Sequence, residues 1–281
     1  MILSGKARLA GVMGWPVSHS RSPRLHGFWL ERHAIDGAYV PLAVPPGRIE
    51  TALRALPVLG FRGANLTVPH KEAAPAICDE LDPLARRIGA VNTIVVGDDG
   101  RLIGSNTDAY GLIENLRRNS RWRSGNDAVV VLGAGGAARA ACVALIDAGA
   151  ASVRIVNRTQ LRAEILAEEL GAGIAAVDWQ ERNDALDGAA LLVNTTTLGM
   201  TGAPPLDIDL SALPKSAIVY DIVYVPLETP LLAAARARGN PVVDGLGMLL
   251  YQAQPGFEAW FGVRPDVDED LRRFVLNDLQ G

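Results

Sequence analysis

Lysine is almost missing from this 281-residue chain: Lys6, Lys71 and Lys215 are its only instances, so 27 basic residues less three leaves 24 arginines. Cysteine is as scarce, with Cys78 and Cys142 alone and far apart, which excludes a disulfide framework and a cysteine-rich zinc site and fits a reducing compartment. The four histidines, His19, His26, His33 and His70, show no metal-ligand spacing, and no metal is expected. No apolar run approaches the ~20 residues of a membrane span, and no apolar stretch follows Lys6 and Arg8 as it does in a secretory leader. The expectation is a chain that stays in solution, in the cytoplasm. Excess charge is also lacking: a formal net charge of −4 gives no field that would hold nucleic acid or an anionic membrane, so any bound anion needs a local pocket.

What is present is core-forming material, with 49% hydrophobic and 21% charged residues, in a chain long enough for two domains. Residues 9–13, 38–44, 63–68 and 91–96 read as strands and 23–33 and 49–56 as helices; Asp98, Asp99 and Gly100 supply a hairpin turn into 101–104. A second unit opens near Ala128 with strands over 128–132, 152–156, 189–193, 217–221 and 242–243 and helices over 137–148, 161–170 and 231–238. Strands separated by helix-length segments imply right-handed crossovers and a mostly parallel, doubly wound sheet. The tail from 245 to 281 is helical again, with Met248, Leu249, Ala253, Phe257 and Trp260 on one face, and is expected to pack on one or both units.

The segment AVVVLGAGGAARA sets Gly133, Gly135 and Ala138 in the order of a dinucleotide fingerprint, after an apolar strand and at the start of a helix. Gly133 permits the tight turn, Gly135 lets the backbone approach a pyrophosphate, and Ala138 lets the helix pack closely, its N-terminus aimed at the anion. In an NAD site the next strand usually ends in an acidic residue that takes the ribose hydroxyls. Here it ends in Asn157, followed by Arg158, Thr159 and Arg162. A guanidinium offers a 2′-phosphate charge-assisted hydrogen bonds of roughly 1.5 to 3 kcal/mol each, where a carboxylate would repel it. NADP(H) is therefore the expected cofactor.

Three polar clusters mark the first unit: SHSRSP at 18–23, GANLTVPHKEAA at 63–74, and AVNT with GSNTD between 90 and 108. Ser20 and Ser22 either cap a helix beginning at Pro23 or serve a carboxylate-bearing or hydroxylated ligand. Lys71 stands out in a chain that otherwise prefers arginine, because a lysine can exchange a proton where a guanidinium cannot.

Taken with NTDAYG, GAGGAAR, NRT, DIVYVPLETP and DGLGMLLYQA, these motifs resemble the shikimate dehydrogenase family in content and order, from about Ala10 to Pro265. The resemblance implies an N-terminal α/β substrate domain over 1–108, with the helices of 245–281 packing back on it, and a Rossmann-like doubly wound NADP-binding domain over 109–244. It implies that Ser20 and Ser22 bind the shikimate carboxylate, that Asn65, Thr67, Asn92, Tyr224 and Gln252 hold the ring hydroxyls, and that Lys71 and Asp108 bracket the reacting oxygen. On the cofactor side it implies Gly133, Ala134, Gly135, Gly136 and Ala137 at the pyrophosphate, Asn157, Arg158, Thr159 and Arg162 at the adenosine phosphate, and Ile222 and Gly245 near the nicotinamide. Some positions depart from the family pattern. His70 stands where phenylalanine is common and brings a titratable group beside Lys71; Thr196 and Thr197 stand where Ala-Thr-Ser is usual, and Ile222 replaces a frequent methionine.

The implied reaction is reduction of 3-dehydroshikimate to shikimate by NADPH, in chorismate and aromatic amino acid biosynthesis. Lys71 stabilises and protonates the developing oxyanion, and Asp108 hydrogen-bonds the same hydroxyl or shares the proton transfer. With the fingerprint in one unit and the polyol residues in the other, the site is expected where the units meet, joined by connecting segments at 108–116 and 245–254, with closure on binding. The alternatives are a quinate/shikimate dehydrogenase using NAD(H), against which Arg158 and Arg162 count, and a catalytically idle nucleotide-binding relative, against which Lys71 and Asp108 count. A methylenetetrahydrofolate-type dehydrogenase leaves SHSRSP and NTDAYG unexplained. Small-molecule substrate, no nucleic acid, no membrane, and a monomer or homodimer complete the expectation.

Overall fold

A computed structural model describes residues 2–123 and 127–277; of the tail expected to be helical, residues 278–281 lie outside the described residues. The chain forms two compact units, Met1–Thr107 with Leu249–Gly281, and Asp108–Met248.

The first unit runs β1 (Arg8–Gly14), α1 (Ser22–Arg32), β2 (Gly37–Ala43), α2 (Ile49–Val58), β3 (Phe61–Leu66), β4 (Glu80–Leu81), α3 (Pro83–Ile88), β5 (Thr93–Val96) and β6 (Leu102–Ser105). Its six-stranded sheet has the order β2-β1-β3-β5-β6-β4. β1 pairs in parallel with β2 and β3, while β5 runs antiparallel to β3 and, across the Asp98–Gly100 hairpin, to β6. β4 and α3 were not expected from the pattern. Their signal is local: Asp82 accepts the Ala85 N–H, Pro83 opens the helix, and Gly89 closes it at φ 71°.

The second unit runs α4 (Asp108–Asn119), β7 (Ala128–Leu132), α5 (Gly136–Asp147), β8 (Ser152–Val156), α6 (Gln160–Leu170), β9 (Ile174–Val177), β10 (Ala189–Asn194), β11 (Ile218–Asp221), α7 (Pro230–Arg238) and β12 (Val242–Val243). All pairings are parallel, in the order β12-β11-β10-β7-β8-β9, so the strand order reverses between β7 and β10. Both faces are covered. Val129 and Val131 of β7 enter one apolar cluster with Leu112, Cys142 and Leu145, and Val130 and Leu132 enter another with Leu192, Leu231 and Leu232. That explains an apolar run without alternation. Of the segments expected to connect the units, 108–116 belongs to α4, whose Leu112 and Leu116 are fully buried in this core.

The boundary on the C-terminal side falls inside α8 (Leu246–Phe261), which α9 (Glu269–Asn277) follows. From residue 249 onward α8 completes the first unit's core. Trp260 donates its Nε1–H to the Ile94 carbonyl at 2.9 Å, and the Phe257 ring lies 5.3 Å from that of Trp29. Arg8 Nη1 donates to the Phe261 carbonyl at 2.6 Å.

Candidate functional site

In the first unit the polar residues gather at one end of the sheet, where β3 finishes, β5 starts and β6 finishes; Asn65 is the cross-strand partner of Thr93, and Thr93 of Ser105. Asn65, only 6% exposed, donates Nδ2–H to the Asn92 carbonyl at 3.1 Å and to Thr93 Oγ1 at 3.0 Å. Its Oδ1 accepts from the Tyr39 hydroxyl at 2.6 Å, and Tyr39 also hydrogen-bonds Ser22. Asn92 Oδ1 accepts from Thr93 Oγ1 at 2.9 Å and the Thr107 N–H at 2.8 Å, while its Nδ2 donates to Thr107 Oγ1 at 3.0 Å and to Gln252 Oε1 at 3.4 Å. Four of the expected substrate residues, Ser22, Asn65, Asn92 and Gln252, thus belong to one network although α1, β3, the turn before β5 and α8 supply them. Sequence reading missed Tyr39, Thr93 and Thr107, its joints; Thr93 and Thr107 sit inside AVNT and GSNTD and were within reach.

Ser22 is itself the first residue of α1 rather than its cap. The N-cap position is Arg21, which makes no side-chain cap bond, and Ser20 Oγ accepts the Ser22 N–H at 3.4 Å. Thr67 is half-buried beyond the end of β3, held by its N–H to the Met13 carbonyl at 2.9 Å. Lys71 is half-buried, and its carbonyl accepts the Val91 N–H at 2.9 Å, next to Asn92. His70 is buried, with Nε2 2.8 Å from the Val44 carbonyl, so its N–H is committed to the backbone and fixes the tautomer.

In the second unit Gly133 follows β7 at φ 111°, and a Cβ there would lie 2.6 Å from Thr195 Oγ1, so only glycine fits. Gly135 is the extended N-cap of α5 and provides no side-chain acceptor, which leaves the first-turn N–H groups for an anion. Ala138 is fully buried against the sheet. At the end of β8, Asn157 Nδ2 donates to the Thr159 carbonyl at 2.9 Å, and Arg158 is exposed. Arg162 reaches the glycine turn, its Nη2 3.3 Å from the Ala134 carbonyl. No acid stands among these residues, and the set fits a dinucleotide with a phosphorylated ribose.

On the other side of the strand reversal, Ile222 and Gly245 touch: a Cβ on Gly245 would strike the Ile222 and Val223 backbone, so this approach again demands glycine. Tyr224 is half-buried in the loop after β11, and Asp108 is buried in the first turn of α4, where the helix dipole favours a carboxylate. Among the described residues no cluster of His, Cys, Asp or Glu has the makings of a metal site.

Family models for the shikimate dehydrogenase substrate binding domain, for shikimate / quinate 5-dehydrogenase and for the shikimate 5′-dehydrogenase C-terminal domain match residues 12–94, 117–199 and 245–272. A shikimate dehydrogenase (NADP(+)) of Paramagnetospirillum magneticum is 65% identical over 276 residues, covering 98% of this chain and 100% of that protein. Its counterpart in Rhodospirillum rubrum is 64% identical over 280 residues, covering 98% and 99%. Among solved structures, the Thermus thermophilus shikimate 5-dehydrogenase in complex with NADP(H) and shikimate aligns with a TM-score of 0.85 at 39% identity, over 96% of this chain and 99% of that one. A Corynebacterium glutamicum quinate dehydrogenase in complex with NAD aligns with a TM-score of 0.88 at 32% identity, over 98% and 99%. With these models in order along the sequence and near-complete relatives at such identity, the chain belongs to the shikimate dehydrogenase family.

Proposed function

We propose that this chain catalyses the reversible reduction of 3-dehydroshikimate to shikimate with NADPH, a step of aromatic amino acid biosynthesis, in the cytoplasm. The observation that carries this is identity of 65% along 98% of the chain with a shikimate dehydrogenase (NADP(+)). The second unit's acid-free fingerprint, with Arg158 just after β8 and Arg162 in the first turn of α6, supports the phosphorylated cofactor. Among the described residues no helix is long and apolar enough to cross a membrane.

The dinucleotide, when bound, supplies the hydride that adds to the ketone carbon. The chain's own side chains do the rest. Ser20 and Ser22 take the carboxylate, and Asn65, Thr67, Asn92, Tyr224 and Gln252 take the ring hydroxyls; the buried network around Asn65 and Asn92 fixes those amides before the ligand arrives, which lowers the ordering cost of binding. The Lys71 ammonium stabilises the oxyanion and gives it the proton that completes the alcohol, and Asp108 hydrogen-bonds the same oxygen. In the oxidative direction the proton returns by the same route.

The test is turnover of shikimate and of quinate with NADP+ and NAD+ by the wild type, Lys71→Ala and Lys71→Arg. Arginine keeps the charge but not the exchangeable proton, so both variants are expected to lose on the order of 100-fold or more in kcat with shikimate and NADP+. Near wild-type kcat in either removes Lys71 from the chemistry. Preference of the wild type for quinate with NAD+ moves the chain to the activity named for the Corynebacterium relative.

A further inference from the structure

Asp221, the last residue of β11, is a carboxylate with no exposed surface. Its Oδ1 accepts from Asn194 Nδ2 at 2.9 Å and the Val223 N–H at 3.0 Å, and its Oδ2 accepts from Thr229 Oγ1 at 2.7 Å. A buried anion held by neutral donors is costly, and an apolar residue would fill a strand end more cheaply. The position suggests what the cost secures. Asn194 is the register partner of Leu132 on one side and of Asp221 on the other, each of the three the last residue of its strand, so Asp221 lies two strands from the fingerprint turn along the carboxyl edge at the strand-order reversal. That edge is where an open α/β sheet takes its ligand.

Each donor leads into a different segment. Asn194 opens the turn 195–199: its Oδ1 accepts the Thr196 N–H at 3.0 Å and the Thr196 hydroxyl at 2.7 Å, and its Nδ2 reaches the Leu198 carbonyl at 3.3 Å. Thr195 of the same turn donates N–H and Oγ1–H to the Leu132 carbonyl, at 2.9 and 2.6 Å, and stands against Gly133. Val223 belongs to the loop that carries Ile222, whose N–H bonds the Asn194 carbonyl at 3.0 Å and whose backbone faces Gly245. Thr229 caps α7, accepting the Leu232 N–H at 3.3 Å.

We infer that Asp221 is the positioning residue of the cofactor site's nicotinamide half, gathering the 195–199 turn, the 222–229 loop and the start of α7 onto one carboxylate so that Gly133 and Ile222 face the dinucleotide in fixed geometry. The inference rests on the proposed NADPH-dependent activity. The Asn194 amide and the Val223 N–H can only donate to Oδ1, while the Thr229 hydroxyl donates to Oδ2; an asparagine that keeps its oxygen on the first two turns its NH2 to Thr229 Oγ1 and reverses that bond, displacing the hydroxyl proton at the cap of α7. Burial also raises the acid's pKa to about 6 against the pull of its three donors. The groups that face it from β10, the following loop and α7 are the Asn194 amide, the Val223 N–H and the Thr229 hydroxyl, none of which titrates; the nearby Glu228–Arg236 pair is exposed.

The experiment compares wild type, Asp221→Asn, Thr229→Val and Thr229→Ser by NADPH fluorescence titration without substrate, by KM for each substrate, and by kcat against pH. Asp221→Asn is expected to weaken NADPH binding about tenfold and lower kcat, leave KM for shikimate within about twofold, and lose the part of the wild-type pH dependence near pH 6 that the cofactor's own phosphate does not explain. Thr229→Val is expected to weaken NADPH binding at least threefold relative to Thr229→Ser, which retains the hydroxyl. A lowered melting temperature with unchanged NADPH affinity and kcat overturns the inference. So does equality of the two Thr229 variants, which decides the matter if Asp221→Asn does not fold. Wild type that binds NADPH but turns over no shikimate defeats the proposed reaction instead, and the binding comparison still decides on Asp221.

Discussion

Single side chains in the two units respond to acid in opposite directions. His26 is fully buried, stacked on Tyr39 at 3.9 Å and 10° with Trp29 and Phe257 around it, and neither ring nitrogen has a hydrogen-bond partner among the described residues. Burial pulls its pKa from 6.5 down to about 3, so between those values the unfolded chain binds a proton that the native ring refuses. Its contribution is therefore whole above pH 6.5 and drains as the pH falls toward 3. For Asp221 the sign reverses: its native pKa lies above the unfolded 3.8, so the contribution is whole below 3.8 and is lost as the pH rises through about 6. Urea unfolding at pH 7 and pH 5 should show the wild type losing about 2 kcal/mol more than His26→Phe over that interval, from the 1.36 kcal/mol carried by each pKa unit. Equal losses would show that the ring titrates normally. The sequence showed His26 only as one of four histidines; its neutrality follows from a ring of aromatics that α1, β2 and α8 bring together.

Elements were legible where a rule of local periodicity sufficed. Strands at 128–132, 152–156 and 242–243 fall where the apolar runs place them, and α1, α2, α5, α6 and α7 lie within a few residues of their patterns. β9 was missed because it is short, only half-buried and bonded to β8 alone, so its four residues carry no clear period. α4 read as a connector because its significance is tertiary. Its Asn115, 1% exposed, donates to the Tyr220 hydroxyl at 2.9 Å and the Asp244 carbonyl at 2.8 Å, while its Oδ1 accepts from Asn119 and lies so close to Gly247 that a Cβ there would collide with it. One amide thus fixes α4 to β11 and to the turn that starts α8. Asn115→Ala leaves the buried Tyr220 hydroxyl and the Asp244 carbonyl without that partner, and should lower unfolding free energy by about 2 to 3 kcal/mol. A loss under about 0.5 kcal/mol in denaturant titration, the level of an ordinary surface change, would show that α4 is held by Leu112 and Leu116 alone.

For the whole molecule the balance of charge is the governing fact. A net charge of −4 offers an anionic cofactor no attraction at long range, so affinity for a phosphorylated dinucleotide must come from close contacts, the role proposed for Arg158 and Arg162. Arg158→Ala is expected to raise KM for NADPH about tenfold and to leave that for NADH within about twofold, from the loss of one charge-assisted bond. Equal effects on the two cofactors in steady-state kinetics would remove the 2′-phosphate from Arg158. The primary sequence alone determined the α/β class, the parallel second sheet, the fingerprint turn and the acid-free end of β8, because periodicity, small residues at fixed offsets and the absence of a carboxylate are properties of neighbours along the chain. Only the tertiary structure decided that Tyr39, Thr93 and Thr107 join Ser22, Asn65, Asn92 and Gln252, and that Asp221 gathers Asn194 and Thr229. Those partners lie up to 160 residues apart, and a hydrogen bond selects by angle and distance in space, which no spacing along a sequence encodes.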